Sequence, residues 1–167
     1  DDSESRGLGD VYKRQIRGAA YFGREAKELG VPSKLHSVYV SGYVLTLRKS
    51  VLRDVKSNIG VSYALYDEGA FRNKLKSGDM RYAPEALRVV NSGVLSSNSK
   101  VTEVELGKFY GDVLSRNARV IHNEPLLHPF QPYNGLATEN QISYFEKVLS
   151  HNSCLLYTSD AADDRIG

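Results

Sequence analysis

Four histidines, at positions 36, 122, 128 and 151, and a small set of carboxylates are the side chains here with chemistry to offer. No two histidines have the i, i+4 spacing that puts a pair of metal ligands on one helix face, and no cysteine assists them, since the one present, Cys154, lies in a terminal stretch set aside below. His122 ends the apolar run "ARVIH", where a structural role is the plain expectation. His128, in "LLHPFQP", sits between bulky residues and Pro129. Two roles suit it: an imidazole hydrogen-bonded inside a rigid turn, or a metal ligand just past a strand, where α/β proteins place their ligands. Glu103 and Glu105 lie in "TEVELGKFYGDVLSR". Thr102 and Glu105 have the spacing of a capping box, which already employs Glu105. Glu103 would occupy the first helical turn, where the macrodipole favours an anion. As a general base it would need partial burial to offset that stabilisation. Asp67-Glu68 and Glu103/Glu105 are the carboxylate pairs available to a Mg²⁺-dependent enzyme acting on nucleic acid.

The elements that must position these groups are legible as periodic runs. "GAAYFGREAKEL" at 18–29 spaces Ala19, Phe22, Ala26 and Leu29 as a helix, and Gly30 and Pro32 stop it. "HSVYVSGYVLTL" at 36–47 predicts one long strand or two short ones, with Gly42 as a bulge or a point of close approach. A short helix follows at 48–56, with Val51, Leu52 and Val55 inward. Residues 63–76 place Tyr66, Ala70, Phe71 and Leu75 on one helical side. Pro84 opens another short helix as its first residue. The capping box predicts a helix over 102–116 with Leu106, Phe109, Tyr110, Val113 and Leu114 as its apolar stripe. A strand at 118–122 and a proline-rich loop at 123–135 come next. Thr138 and Gln141 form a second capping box for a last helix carrying Ile142, Phe145, Val148 and Leu149. Helices alternating with short strands predict a layered α/β or α+β fold.

Residues 5–15, "SRGLGDVYKRQ", and 154–164, "CLLYTSDAADD", resemble translated sequencing-adaptor sequence. GATGTGTATAAGAGACAG encodes Asp10 to Gln15, and its reverse complement, one base out of frame, encodes Cys154 to Ser159. Residues 1–15 and 154–167 are therefore expected to be adaptor-derived tails without selected packing. Residues 16–153 are expected to be an internal piece of one gene and a single incomplete domain. That piece carries 18 basic and 13 acidic residues, a net charge of +5 against +2 for the whole chain. It has no cysteine, which excludes disulfides and thiol catalysis within it. No apolar run approaches the roughly 20 residues of a membrane span. Neither a phosphate loop of Walker or dinucleotide type nor a nucleophile elbow is present. The basic residues at 48–56 and 72–76 suit solvated helix faces, and their aromatic neighbours do not alternate as a base-stacking platform would. No nucleic-acid partner is expected.

Three stretches resemble motifs of the fringe-like and β-1,3-galactosyltransferase-like glycosyltransferases. "VSGYVLTLRKSVL" at 40–52 is similar to their G-G-A-G-Y strand and the helix after it. "TEVELGKFY" at 102–110 is similar to their E-D-V-x-x-G helix start. "RVIHNEPLLHPFQPY" at 119–133 is similar to their strand and F-H-P-F loop. The resemblance implies part of a GT-A-like α/β domain and an inverting transfer from a UDP-sugar to an acceptor hydroxyl of a glycan. It implies Glu103 as catalytic base, His128 as ligand of a Mn²⁺ on the diphosphate, and Gly42 in the substrate cleft. The match departs from the family at several points. Tyr39, Val40 and Ser41 stand where Gly-Gly-Ala is usual, Thr102 and Glu103 replace Glu-Asp, and residues 57–100 would be an insertion. The Asp-x-Asp metal motif of the family would lie upstream of Ile16. A different class fits the composition equally well: an internal fragment of a non-enzymatic structural or interaction protein of viral or mobile-element type. In that case the proline loop is a docking surface and the histidines are structural.

Overall fold

A computed structural model describes residues 2–42, 48–94 and 100–150, with side chains from Gln15 onward. It shows a layered α/β fold. The order is α1 (Asp2–Leu29), β1 (Ser37–Ser41), α2 (Lys49–Asp54), β2 (Asn58–Ala64), α3 (Pro84–Gly93), β3 (Arg119–Glu124) and α4 (Gly135–Leu149). The three strands form a parallel sheet in the order β1-β2-β3. Parallel neighbours need crossovers, and α2 and α3 supply them.

Side chains alternate across the sheet. Val40, Ile59, Val61, Tyr63 and Ile121 face one way and build the main core with Ile16 and Ala19 of α1, Leu52 of α2 and Val89 of α3. Tyr39 and Val120 face the other way, onto Tyr144 and Val148 of α4. Every residue of β2 is buried, so this strand has no solvent face at all.

The helix over 18–29 ends as expected: α1 stops at Leu29 and Gly30 takes a positive φ of 66°. Gly23 is where α1 crosses the end of α2, and a Cβ there would strike the Asp54 carbonyl oxygen. β1, α2, the proline-initiated α3 and β3 also lie where the periodicity put them. The second half of the expected strand, residues 43–47, lies outside the described residues.

Residues 57–100, an insertion by the resemblance, supply the middle strand and α3. Three expectations are overturned. Residues 65–76 do not form a helix; a turn follows Ala64, with one 3₁₀ turn at Ala70–Arg72. Asp67 and Asn73 explain this, because their side chains accept from the Gly69 and Leu75 backbone N–H groups at 2.7 and 2.9 Å. Such local bonds compete with helix formation. Residues 102–116 are not helical either. Gly107 and Gly111 adopt φ of 76° and 85°, and Arg116 follows at 56°. The segment runs along the edge of β3, through an antiparallel bridge between Tyr110 and Arg119 and a bond from the Gly107 N–H to the Ile121 carbonyl. Edge pairing offsets the lost helical bonds, and two glycines make a helix there costly. Finally, α4 is capped by Asn134, whose side chain accepts from the Ala137 N–H at 3.1 Å, so Thr138 lies inside the helix.

The expected boundary at Ile16 does not interrupt α1, which is helical from Asp2. No proline stands in 2–15, and extending a formed helix is far easier than nucleating one. The tail at 154–167 lies outside the described residues, as does His151. No helix among the described residues is long and apolar enough to cross a membrane.

Candidate functional site

The carboxyl ends of the parallel strands gather a set of polar side chains that the main core does not use. Ser62 precedes the end of β2 by two residues, and Glu124 ends β3. The Glu124 carboxylate is buried and accepts from Ser62 Oγ at 2.7 Å and from Asn140 Nδ2 of α4 at 3.0 Å. Gln131, on the 3₁₀ turn His128–Tyr133, donates from Nε2 to Ser62 Oγ at 2.7 Å. Its Oε1 lies 2.9 Å from His128 Nδ1. Asp67, buried just past β2, holds its Oδ2 3.7 Å from the same nitrogen.

The polarity of this chain of bonds is determined. The Gln131 amide nitrogen can only donate, so Ser62 Oγ accepts from it and gives its own hydroxyl proton to Glu124. This turns the amide oxygen toward His128. An amide oxygen can only accept, so His128 Nδ1 carries the proton and Nε2 carries the lone pair. In ¹⁵N-resolved imidazole spectra at about pH 8.5, above the ordinary histidine range, His128 should show the Nδ1–H tautomer. Gln131→Leu should return it to Nε2–H, whereas an unchanged tautomer would refute the ordering.

The proline loop is thus ordered, and its histidine is seated. Gly42, at the exit of β1 with φ of 107°, lies against the imidazole: a Cβ there would meet Nδ1 at 3.0 Å and Cε1 closer still. Gly42 is therefore the point of close approach that its position in a strand pattern suggested. Its N–H bonds the Ser62 carbonyl at 2.8 Å, tying the end of β1 to the same network.

His122 and Tyr39 lie on the α4 face, with Tyr39 OH 2.9 Å from His122 Nδ1. Burial, reinforced by the charge of Glu124, pushes the Tyr39 phenol well above its ordinary range, so it stays protonated. Burial pushes His122 below its usual 6.5, with Glu124 opposing in part. The unfolded chain then takes up that proton first. His122 costs nothing above about pH 6.5 and withdraws stability as pH falls from there through its folded value. His122→Gln should flatten that fall in urea melts taken across the range.

Glu103 is not part of this cluster. It is exposed, and its Oε1 accepts from Tyr82 OH at 2.8 Å. That bond raises the Tyr82 phenol. Its neighbourhood is the exposed Asp79–Arg81 pair, with N–O contacts of 2.6 to 3.1 Å. Glu105, expected to cap a helix, pairs instead with Lys108 at 2.7 Å. The structure therefore joins His128 to Gly42 and leaves Glu103 with Tyr82. Sequence reasoning passed over Ser62, Glu124 and Gln131. The one signal for Glu124 is a charged residue closing an apolar strand directly before Pro125.

No family model matches the chain, and neither a curated protein nor a solved structure matches it.

As a ligand site the cluster has one point of access. Glu124 and Gln131 are buried and mutually satisfied, and the His128 side chain is 27 % exposed. Nδ1 is committed to Gln131, so a ligand bond from His128 would have to be made through Nε2. Among the described residues no three histidines, cysteines or carboxylates converge on a metal site. Asp67 flanks the Nδ1 edge. The described residues of the cluster thus offer a metal ion one imidazole with a carboxylate beside it, and any further ligands would have to come from a substrate or water.

Proposed function

We propose that the chain is part of a metal-dependent inverting glycosyltransferase that moves a sugar from a UDP-sugar to an acceptor hydroxyl. One observation carries this: His128 and Gly42, 86 positions apart and each implicated by a separate motif, are in contact at the carboxyl end of the parallel sheet. His128 would hold Mn²⁺ through Nε2. The ion, when bound, would neutralise charge on the departing diphosphate. The Ser62–Gln131 bonds hold the imidazole in one tautomer and orientation. The base is the weaker half of the proposal, because Glu103 bonds Tyr82 outside this cluster.

The test is electron paramagnetic resonance of Mn²⁺ titrated with the chain in the presence of UDP. The chain should deplete the free-ion signal, and His128→Ala should weaken that at least about tenfold. Equal depletion by both proteins would remove His128 from the site. In a longer chain that transfers sugar, Glu103→Gln should abolish transfer if Glu103 is the base, and unchanged turnover would exclude it.

One observation favours the non-enzymatic alternative. Leu127, Phe130, Tyr133 and Leu136 are 47 to 87 % exposed along the proline segment, more apolar surface than one loop ordinarily shows. If Mn²⁺ and UDP do not bind, and Phe130→Ser with Tyr133→Ser removes self-association in sedimentation, the docking role replaces the enzyme.

A further inference from the structure

A cavity of about 870 Å³ opens between α2, α3 and residues 115–119, on the sheet face away from the His128 cluster. Its lining is one-signed. Lys49, Arg53 and Lys56 stand on the α2 side, Arg88 on the α3 side, and Lys100, Arg116 and Arg119 complete it. No carboxylate is among the described lining residues. Two of the cations are partly offset from outside, Arg53 by Asp54 at 3.4 Å and Arg88 by Glu85 at 3.6 Å. Leu52, Val55 and Leu87 supply an apolar surface beside them.

Arg119 is the unusual member. It is 2 % exposed, and every partner it has is neutral. Nε donates to Ser92 Oγ, and Nη1 donates to the Ser57 and Ala118 carbonyls, each at 2.9 Å. Nη2 has no acceptor among the described residues. Gly93 lets the stem pass beneath α3, because a Cβ there would stand 2.7 Å from Arg119 Cγ. A buried guanidinium ordinarily has a carboxylate partner, since desolvating a charge is costly. Burial lowers this one to about 10, so it remains a cation at neutral pH. Three N–H groups on Nε and Nη1 are fixed by the protein, which leaves the two on Nη2 to make charge-assisted hydrogen bonds to phosphate oxygens.

We propose that this cavity binds a small phosphorylated anion of nucleotide or sugar-phosphate size, with Arg119 on its terminal phosphate and the α2 cations on the rest. The volume suits such a ligand. A nucleic-acid strand passing over the surface could meet Arg53 and Lys56 but could not bring a backbone phosphate onto a buried Arg119. The site is independent of the glycosyltransferase proposal and requires no metal.

The test is calorimetric titration of the chain with inorganic pyrophosphate in metal-free buffer containing EDTA, with single-stranded oligouridylate as the second arm. Pyrophosphate should bind, and should bind more weakly as salt rises. Arg53→Gln with Lys56→Gln, both exposed and unable to disturb the core, should weaken binding about tenfold. Arg119→Met should abolish it, Arg119→Lys should restore part of it, and His128→Ala should leave it unchanged. If Arg119→Met does not fold, the Arg53/Lys56 pair decides. Absent pyrophosphate binding, or binding indifferent to Arg53 and Lys56, overturns the proposal. So does oligouridylate that binds more tightly than pyrophosphate and survives Arg119→Met, since that marks a nucleic-acid face.

Discussion

Gly60→Val is expected to cost about 3 kcal/mol, the upper end of what overpacking does to a core. Gly60 is the third residue of β2, the strand with no exposed position. A Cβ there would point toward α4 and stand 2.8 Å from Tyr39 Cε2 and 3.0 Å from Tyr144 Cδ2. Neither ring has room to move. Tyr39 is held by its bond to His122, and the two rings lie 5.2 Å apart between centroids. Tyr144 is 1 % exposed and stacks on Phe109 at 6.2 Å. Valine must therefore push α4 off the sheet or spread β1 from β2. Against the roughly 5–15 kcal/mol of a typical domain, that is a large share, and the melting temperature should fall on the order of 10 °C. Circular dichroism melts will read it. Gly18→Ala is the control: nothing lies within 4 Å of its Cβ position in α1, so the change should be neutral or stabilising by up to about 1 kcal/mol. Equal melting of Gly60→Val and Gly18→Ala would mean that α4 does not pack on this face.

Glu124→Leu should cost about 3 kcal/mol, through a different mechanism. The change adds apolar volume where a carboxylate was, but the cost comes from what it leaves behind. Ser62 Oγ loses its acceptor in a site closed to water, and the half-buried Asn140 Nδ2 loses one as well. Ser62 is 1 % exposed, so water cannot replace the lost bond without opening the sheet end. Glu124→Gln should cost less, because an amide keeps one acceptor and confronts only one of the two donors with a second donor. A double-mutant cycle with Ser62→Ala should then show coupling, since the two residues are directly bonded. In urea, Glu124→Leu within about 0.5 kcal/mol of wild type would show that the network contributes little. The same substitution should also release Gln131 and loosen the His128 tautomer. The stability loss and the imidazole spectrum therefore report on one set of bonds by separate means.

Where a structural signal was local, the residues themselves decided it. Gly30 ends α1 because a positive φ suits glycine, and Pro84 starts α3 because the first helical turn has no use for its missing N–H. β-Branched and aromatic residues in 37–41 and 119–124 are enough to specify strands. Alternation of such pieces with helices specified a layered α/β fold. Among the misread segments, 65–76 is broken by local bonds of Asp67 and Asn73 that the apolar spacing hid, whereas at 102–116 a local preference met a stronger distant partner. Thr102 and Glu105 have capping-box spacing, but the edge of β3 offers residues 107–110 backbone bonds, and Gly107 and Gly111 make bending easy. β2 has neither a one-faced period nor a run of large side chains: "NIGVSYA" holds Gly60 and Ser62 because Tyr39, Tyr144 and Gln131 fill the space beside them. Nothing within that heptapeptide carries this information.

The same division holds for the sites. Gly42 and His128 could be singled out from the sequence, each by its own surroundings. Their contact is a tertiary fact, and so is the separation of Glu103, which follows from a helix that does not form. Glu124, Ser62 and Gln131 are unremarkable polar residues until parallel register brings β2 and β3 side by side and the 3₁₀ turn folds back over them. The basic cavity is assembled from residues between 49 and 119 whose charges look like solvated helix faces one at a time. A sequence determines which side chains carry charge and how often the chain can turn. Only the closed structure determines which of those charges are removed from water, and burial is what turns an ordinary arginine or glutamate into a binding group.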